Sequence, residues 1–322
     1  MKIGIIGVGA VGTSCAKAML LRGSCHEIVL IEKDEGRKRA EGVAYDLSHG
    51  AVLCSPMRIQ VGDYDDLIDA GIVVITAGIN ERTGKAIDRN DPRGRLLLLP
   101  DNAKIYADIV PRIASVTPRA IILVVTDPPD PLADVARSLA AKTNSVISSG
   151  TFLDTLRFRL QLAARLECHP SSVDAMVIGE HGTSQVYVWS SARVGSEPVL
   201  AQMARRAHSR NESWDEKATR ARVEHDVKFA NIQIIEGTGA SQHGIGIVTA
   251  RLVEAMLRDE GLVAPVGVFH QQFNVTLSLP SVIRKGGVSQ VLAPDLSDEE
   301  SERLAESAAA IRKALDDLGH EN

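Results

Sequence analysis

The sequence predicts an α/β protein, with an N-terminal Rossmann-type doubly wound parallel sheet followed by a C-terminal mixed α+β domain. Three observations carry that expectation. A β-branched run from Lys2 to Gly7 passes through Gly7-x-Gly9-x-x-Gly12 into a helix-like segment. Further Val- and Ile-rich runs recur with helical segments between them, the pattern of parallel strands buried on both faces. After Gly150 the texture changes to longer helical segments and then to alternating strands, as in a separate α+β unit.

In chain order, Lys2 to Gly7 reads as the first strand, Val11 to Leu21 as the helix after the glycines, and Glu27 to Ile31 as a second strand ending at Glu32. Together they make an opening βαβ unit. Ile72 to Thr76, Ala120 to Thr126 and Ser145 to Ser148 continue the parallel sheet. Between two buried elements, Asn80 to Arg95 is polar, charged and rich in glycine, proline and arginine, which predicts a lid or binding loop. The expected division gives a nucleotide-binding domain over 1–149 and a substrate-binding, catalytic domain over 150–322. In the second domain, strands are expected around Met176, Val186 to Val194 and Val266 to Leu279. The last element is a helix, because Ser297 and Glu300 make a capping box and Leu304, Ala308, Ile311 and Leu315 form an apolar stripe.

Composition narrows the function classes. With 322 residues and 44% apolar content the chain can bury one large core or two ordinary ones, which excludes a disordered chain. Basic and acidic residues, 36 and 41, are mixed along the chain with a net charge of -5, so no broad cationic face is available for nucleic acid. Cys15, Cys25, Cys54 and Cys168 are scattered without a CxxC pair, which predicts reduced thiols and no metal site. Met1 leads almost directly into an apolar strand and no stretch of ~20 apolar residues follows, so a soluble cytoplasmic protein without a membrane partner is expected.

The glycines carry the first chemical reading. Gly7, Gly9 and Gly12 permit a tight turn, close approach of backbone to a pyrophosphate, and close packing of helix on strand, with a helix N-terminus facing the anion. Glu32 ends the second strand twenty residues after Gly12, where a carboxylate accepts hydrogen bonds from ribose hydroxyls. A carboxylate there repels a 2′-phosphate, so NAD is favoured over NADP. Lys33, Arg37, Lys38 and Arg39 follow and read as a solvated helix face.

The second reading comes from Gly150-Thr-Phe-Leu-Asp154-Thr-Leu-Arg157 and Gly179-Glu180-His181-Gly182. Asp154 and Arg157 are three apart and share a helix face, and His181 sits in a glycine-flanked loop after an expected strand. These segments, the Gly7 fingerprint and Asp46-Leu-Ser-His-Gly50 together resemble the L-lactate and malate dehydrogenase family, and the similarity runs the whole chain.

The resemblance implies reversible hydride transfer between NADH and a small 2-oxo or 2-hydroxy acid, of the lactate dehydrogenase type. It implies that Arg157 clamps the substrate carboxylate, which suits a planar guanidinium. His181 then exchanges the hydroxyl proton, and Asp154 orients the imidazole and stabilises its protonated form. Arg95, seven residues before Asn102, takes the place of a loop arginine that polarises the substrate carbonyl. Gly78 and Thr126, which follow two of the parallel strands, complete the cofactor set. Ser241 falls on the substrate pocket wall, with His243 beside it as a packing or surface residue. A homo-oligomer, dimer or tetramer, is also implied.

The chain departs from the family pattern in two informative places. Glu81 falls at the specificity position, where lactate enzymes usually carry Gln and malate enzymes Arg, although Arg82, Arg89 or Arg93 of the lengthened loop compete for that space. Asp127, in Thr126-Asp127-Pro128-Pro129-Asp130, replaces an Asn beside the nicotinamide ribose and the substrate oxygen. An ionised Asp only accepts hydrogen bonds, so it repels the substrate or needs a proton. The lengthened loop is also similar to that of L-2-hydroxyisocaproate dehydrogenases, which favours a monocarboxylate with a side chain at least as large as lactate's. The alternatives are a malate dehydrogenase, an NAD-dependent glycosidase, for which no His/Cys ligand cluster is present in the sequence, and a non-catalytic NAD-binding protein.

Overall fold

The computed structural model describes residues 1–320. Six parallel strands form its first half: β1 (Lys2–Ile6), β2 (Glu27–Ile31), β3 (Arg58–Val61), β4 (Ala70–Ile75), β5 (Ile121–Val124) and β6 (Ser145–Ser148). They lie in the order β3-β2-β1-β4-β5-β6, so the winding reverses between β1 and β4. A crevice opens beyond the carboxyl ends of the strands at such a reversal, which is where ligands of this architecture bind. The connections carry α1 (Ala10–Arg22), α2 (Asp34–Ala51), α3 (Leu99–Val116) and α4 (Pro129–Leu139).

These strands are apolar along their whole length because both faces are covered. Ile3, Ile5, Ile72, Val74, Ile121 and Leu123 face Cys15 and Met19 of α1. Their neighbours Ile6, Val73, Ile75, Ile122 and Val124 face Tyr106, Ile109 and Ile113 of α3 and Leu132 of α4. Alternate side chains therefore enter opposite cores.

The second half contains α5 (Phe152–Leu166), the short strands β7 (Val173–Asp174), β8 (Val177–Ile178), β9 (Val186–Tyr187), β10 (Arg193–Val194) and β11 (Glu197–Pro198), and then α6 (Val199–Ser209), α7 (Glu216–Lys228) and α8 (Ala230–Thr238). The chain continues through α9 (His243–Leu257), the antiparallel strands β12 (Leu262–His270), β13 (Val275–Arg284) and β14 (Gly287–Val291), and α10 (Asp298–His320).

β12 pairs with β6 through Gly267 opposite Ser148, and the parallel sheet is extended to nine strands. The sheet thus continues past residue 150 into the second half. The pairing depends on a missing side chain, since a Cβ at Gly267 would stand 2.0 Å from the Ser148 Oγ.

The expected capping box at the head of α10 is present. The Ser297 N–H donates to Glu300 Oε2 at 2.9 Å, and the Glu300 N–H donates to Ser297 Oγ at 3.3 Å. Leu304, Ala308 and Ile311 are buried against β9 and β13, and Leu315 packs beside them.

In the second half Phe158 is fully buried, edge-on to Trp189 with centroids 4.8 Å apart and to Tyr187 at 5.4 Å. Removing this ring leaves a cavity that neighbouring rings cannot fill. Phe158→Ala is expected to destabilise the chain by about 3–5 kcal/mol, read as a lowered urea midpoint.

Candidate active site

The nucleotide end of the crevice is built from backbone. Gly7 has a φ of 94°, and a Cβ there would stand 2.4 Å from the Ala77 nitrogen. At Gly12 a Cβ would stand 2.0 Å from the Gly7 carbonyl oxygen, so only glycine lets α1 sit this close to β1. Gly9 is different, with nothing within 4 Å of its Cβ position. It also precedes a helix without a side-chain cap, so the first N–H groups of α1 remain available to an anion. An open approach at Gly9 between two crowded glycines fits a pyrophosphate.

Glu32 lies beside this turn with its carboxylate largely buried. Its Oε2 accepts from the Val8 N–H at 2.8 Å and from Arg39 Nη2 at 2.8 Å, and Arg39 Nε donates to the Val8 carbonyl at 3.0 Å. Arg39, its side chain 59% exposed, stays on the solvated helix face that the sequence pattern suggested, while its guanidinium tip reaches back to Glu32. It is drawn to the one carboxylate that β2 presents at the turn. Gly7, Ile31, Glu32, Tyr64 and Ala77 line a cleft of about 1080 Å³, suited to an adenosine.

The chemical end is built from side chains. Asp154 and Arg157 project from the first turns of α5, and Arg157 Nη1 donates to Asp154 Oδ1 at 3.0 Å. His181 follows β8 through Gly179, whose φ is 84°. The imidazole is held from two sides: its backbone N–H donates to Asp130 Oδ2 at 2.7 Å, and its Nδ1 hydrogen-bonds Asp154 Oδ2. Asp130 is anchored in turn by the Ser148 hydroxyl at 2.6 Å.

Burial and pairing oppose each other here. Burial raises the Asp154 carboxyl, but the charge and hydrogen bond of His181, then Arg157, outweigh it and bring the pKa to about 2. Burial lowers the His181 imidazolium, and the Asp154 carboxylate overcomes that and leaves it above its ordinary value. The pair thus favours a charged imidazole facing the cleft through Nε2.

Arg95 lies in a 3-10 turn, Gly94–Leu98, that runs into α3. It is 7% exposed, and its Nε stands 3.2 Å from Asp127 Oδ2 and 4.0 Å from Glu81 Oε1. Neither approach is aligned as a hydrogen bond, so both are ion pairs. The other arginines of the loop are engaged elsewhere or exposed. Arg89 makes a two-bond pair with Glu236 at 2.7 and 2.9 Å, Arg93 folds back on Asp91 at 2.8 Å, and Arg82 is exposed. Asn80, Glu81 and Arg95 are the loop residues that line the cleft, and Glu81 is the carboxylate among the three.

Glu81 is pushed up to about 7, first by burial and then by the Asp127 carboxylate, against the pull of Arg95. The compensation for Asp127 comes from Arg95 and, at 3.6 Å, from His181 Nε2.

A single cleft of about 660 Å³, counting its open mouth, is lined by Gly78, Glu81, Arg95, Thr126, Asp127, Arg157, His181 and Ser241. Val11 of α1 reaches the same cleft, which joins it to the glycine turn. His243 is exposed at the start of α9.

Three supporting residues went unassigned in the sequence. Asn102, fully buried, accepts from the Ile79 N–H at 2.6 Å and donates to the Asp127 carbonyl at 2.7 Å, tying together the loops after β4 and β5. Asp130 sets the backbone of His181. Glu180 is buried beside the imidazole, where burial raises its pKa, and Ser184 donates to its Oε2. The available signal was a polar residue at the buried start of an element, as at Asn102 and Asp130.

Residues 1–149 match the family described as lactate/malate dehydrogenase, NAD binding domain, and residues 151–322 match lactate/malate dehydrogenase, alpha/beta C-terminal domain. An L-lactate dehydrogenase of Deinococcus radiodurans is 39% identical over 319 residues, 99% of this chain and 100% of the relative. One from Thermus aquaticus is 40% identical over 324 residues, again 99% and 100%. Among solved structures, MGS-M5, a lactate dehydrogenase from a Medee basin deep-sea metagenome library, superposes with a TM-score of 0.86 at 35% identity, covering 99% of this chain and 98% of that one. A ligand-bound minor L-lactate dehydrogenase from Enterococcus mundtii gives 0.86 at 30% identity, covering 98% and 97%.

Proposed function

Because the chain belongs to the lactate/malate dehydrogenase family, we propose that it is an NAD-dependent L-2-hydroxy acid dehydrogenase of the lactate dehydrogenase type, acting on a 2-oxo monocarboxylate. The observation that carries this reading is the buried His181–Asp154–Arg157 cluster in a cleft continuous with the glycine turn.

Gly7, Gly9 and Gly12 would hold the pyrophosphate, Glu32 the adenosine ribose, and Gly78 and Thr126 the nicotinamide end. Bound NADH supplies the hydride. Arg157 pairs with the substrate carboxylate, its planar group already oriented by Asp154. His181 gives the proton at Nε2 to the substrate oxygen, while Asp154 at Nδ1 fixes the tautomer and balances the charge. Arg95 polarises the carbonyl from within a largely water-free wall. Ser241, being small, leaves room for a side chain.

A second substrate carboxylate would meet Glu81 and Asp127, which supports a monocarboxylate over a malate-type substrate. Self-association belongs to the same reading. Tyr45 in α2 and Val52 and Leu53 just after it are 71%, 83% and 92% exposed and give an apolar face for a second copy. Among the described residues no helix is long and apolar enough to cross a membrane. A cytoplasmic location is part of the proposal.

The test is loss of NADH absorbance with pyruvate, 2-oxoisocaproate, phenylpyruvate and oxaloacetate in parallel. Turnover of the monocarboxylates above oxaloacetate is expected. The reverse order would restore the malate reading, and tight NADH binding without oxidation of any of them would mark a binding protein.

A further inference from the structure

The cleft holds more carboxylates than the proposed reaction uses. Arg95 and Arg157 meet Glu81, Asp127 and Asp154 there. Asp154 is committed to His181 and Arg157. Glu81 and Asp127 are left with one guanidinium between them, at 4.0 and 3.2 Å, and with His181 Nε2 3.6 Å from Asp127.

Burial and the Asp127 carboxylate push Glu81 up to about 7, so the two carboxyls compete for one guanidinium and a proton, and a substrate carboxylate brought in beside them adds to that crowding. Water offers little relief, since the Glu81 and Asp127 side chains are only 14% and 21% exposed. Behind the imidazole, Asp130 is pushed up to about 7 and Glu180 is raised, both by burial, so neither adds a settled charge. The two unmatched carboxyls sit on the loops after β4 and β5, whereas Arg157 comes from α5. A substrate held at its carboxylate by Arg157 and at its oxygen by His181 would have Asp127 beside the reacting carbon, 3.6 Å from His181 Nε2, with its side chain running on toward Glu81.

We propose that Glu81 and Asp127 form a side-chain subsite for a 2-oxo acid whose side chain ends in a cation, such as an ammonium, guanidinium or imidazolium group. The proposal rests on the 2-hydroxy acid dehydrogenase reading of the site. A cationic end group gives the two carboxyls the second cation they lack and finds acceptors on both. A neutral side chain leaves the two carboxyls sharing one guanidinium, and an anionic one is repelled by them.

The experiment compares kcat/KM for the 2-oxo acids corresponding to arginine, norleucine and glutamate, in the wild type, Glu81→Gln and Asp127→Asn. The expected order in the wild type is cationic, then neutral, then anionic, with the first step about tenfold to a hundredfold, the range of a charge-assisted hydrogen bond. Each substitution is expected to shrink that ratio, and NADH fluorescence titration shows that the variants still fold and bind. Equal or poorer turnover of the cationic acid in the wild type, or a ratio that survives both substitutions, overturns the subsite alone. Failure to oxidise NADH with any of the three overturns the dehydrogenase reading with it.

Discussion

Replacing His181 with Asn is expected to lower kcat for 2-oxo acid reduction by about 10²- to 10⁴-fold, the contribution of a positioned general acid. NADH binding should survive, because the glycine turn that would hold the coenzyme is made of other residues. The backbone N–H of residue 181 keeps its acceptor on Asp130, so the loop retains its anchor. Asn can still accept or donate a hydrogen bond, but it cannot pass a proton to an oxygen and recover one at neutral pH. Steady-state kinetics and NADH fluorescence titration separate the two effects. A variant with near-wild-type kcat would mean that the proton comes from elsewhere, and Glu81 would be the first group to examine.

Asp154→Asn should produce the second large effect, visible in the pH profile. Reduction needs a protonated imidazole, so the rate falls as pH rises through the His181 pKa, which the Asp154 carboxylate holds above its ordinary value. Without that carboxylate the falling limb moves to lower pH, and each unit of displacement costs about tenfold on the alkaline side. An unmoved limb would show that another carboxylate sets the imidazole.

The same substitution alters acid stability. The folded Asp154 pKa of about 2 lies below the unfolded value of about 3.9, so this carboxylate stabilises the fold above pH ~4 and the contribution fades as pH falls toward 2. The variant should lack that part of the acid transition. It should also lose about 3–5 kcal/mol at neutral pH, because Arg157 loses the charge that faces it.

The parts of this molecule readable in advance are those whose cause is local. Buried parallel strands are continuous in Val and Ile because helices cover both faces, and a glycine fingerprint announces the turn after β1. The Ser297–Glu300 box marks a helix start three residues at a time. Asp154 and Arg157 could be placed together because helical spacing settles which face they share.

What resisted reading was decided across the fold. Arg89 leaves the cleft because Glu236, far along the chain, takes it. The exposed Arg39 reaches with its tip to Glu32, which arrives there on a different element. The union of β12 with β6 rests on an absent Cβ at Gly267, and nothing in the neighbouring sequence of either strand signals it. In the sequence Asn102 only marks the count back to Arg95, and its role emerges from the two loops it ties.

That seam at Gly267 also limits how the molecule can breathe. With a continuous slab of strands running through both halves, swinging one half away from the other would break main-chain pairing, so admission and release must be managed at the rim. The rim segment is 80–95. It is fastened by the Thr183 hydroxyl on the Pro92 carbonyl at 2.6 Å and by the Arg89–Glu236 pair. Both are surface contacts that water can replace, so the outer part of the door hangs on weak latches while its inner end, Arg95, is buried against Asp127 and the frame stays rigid.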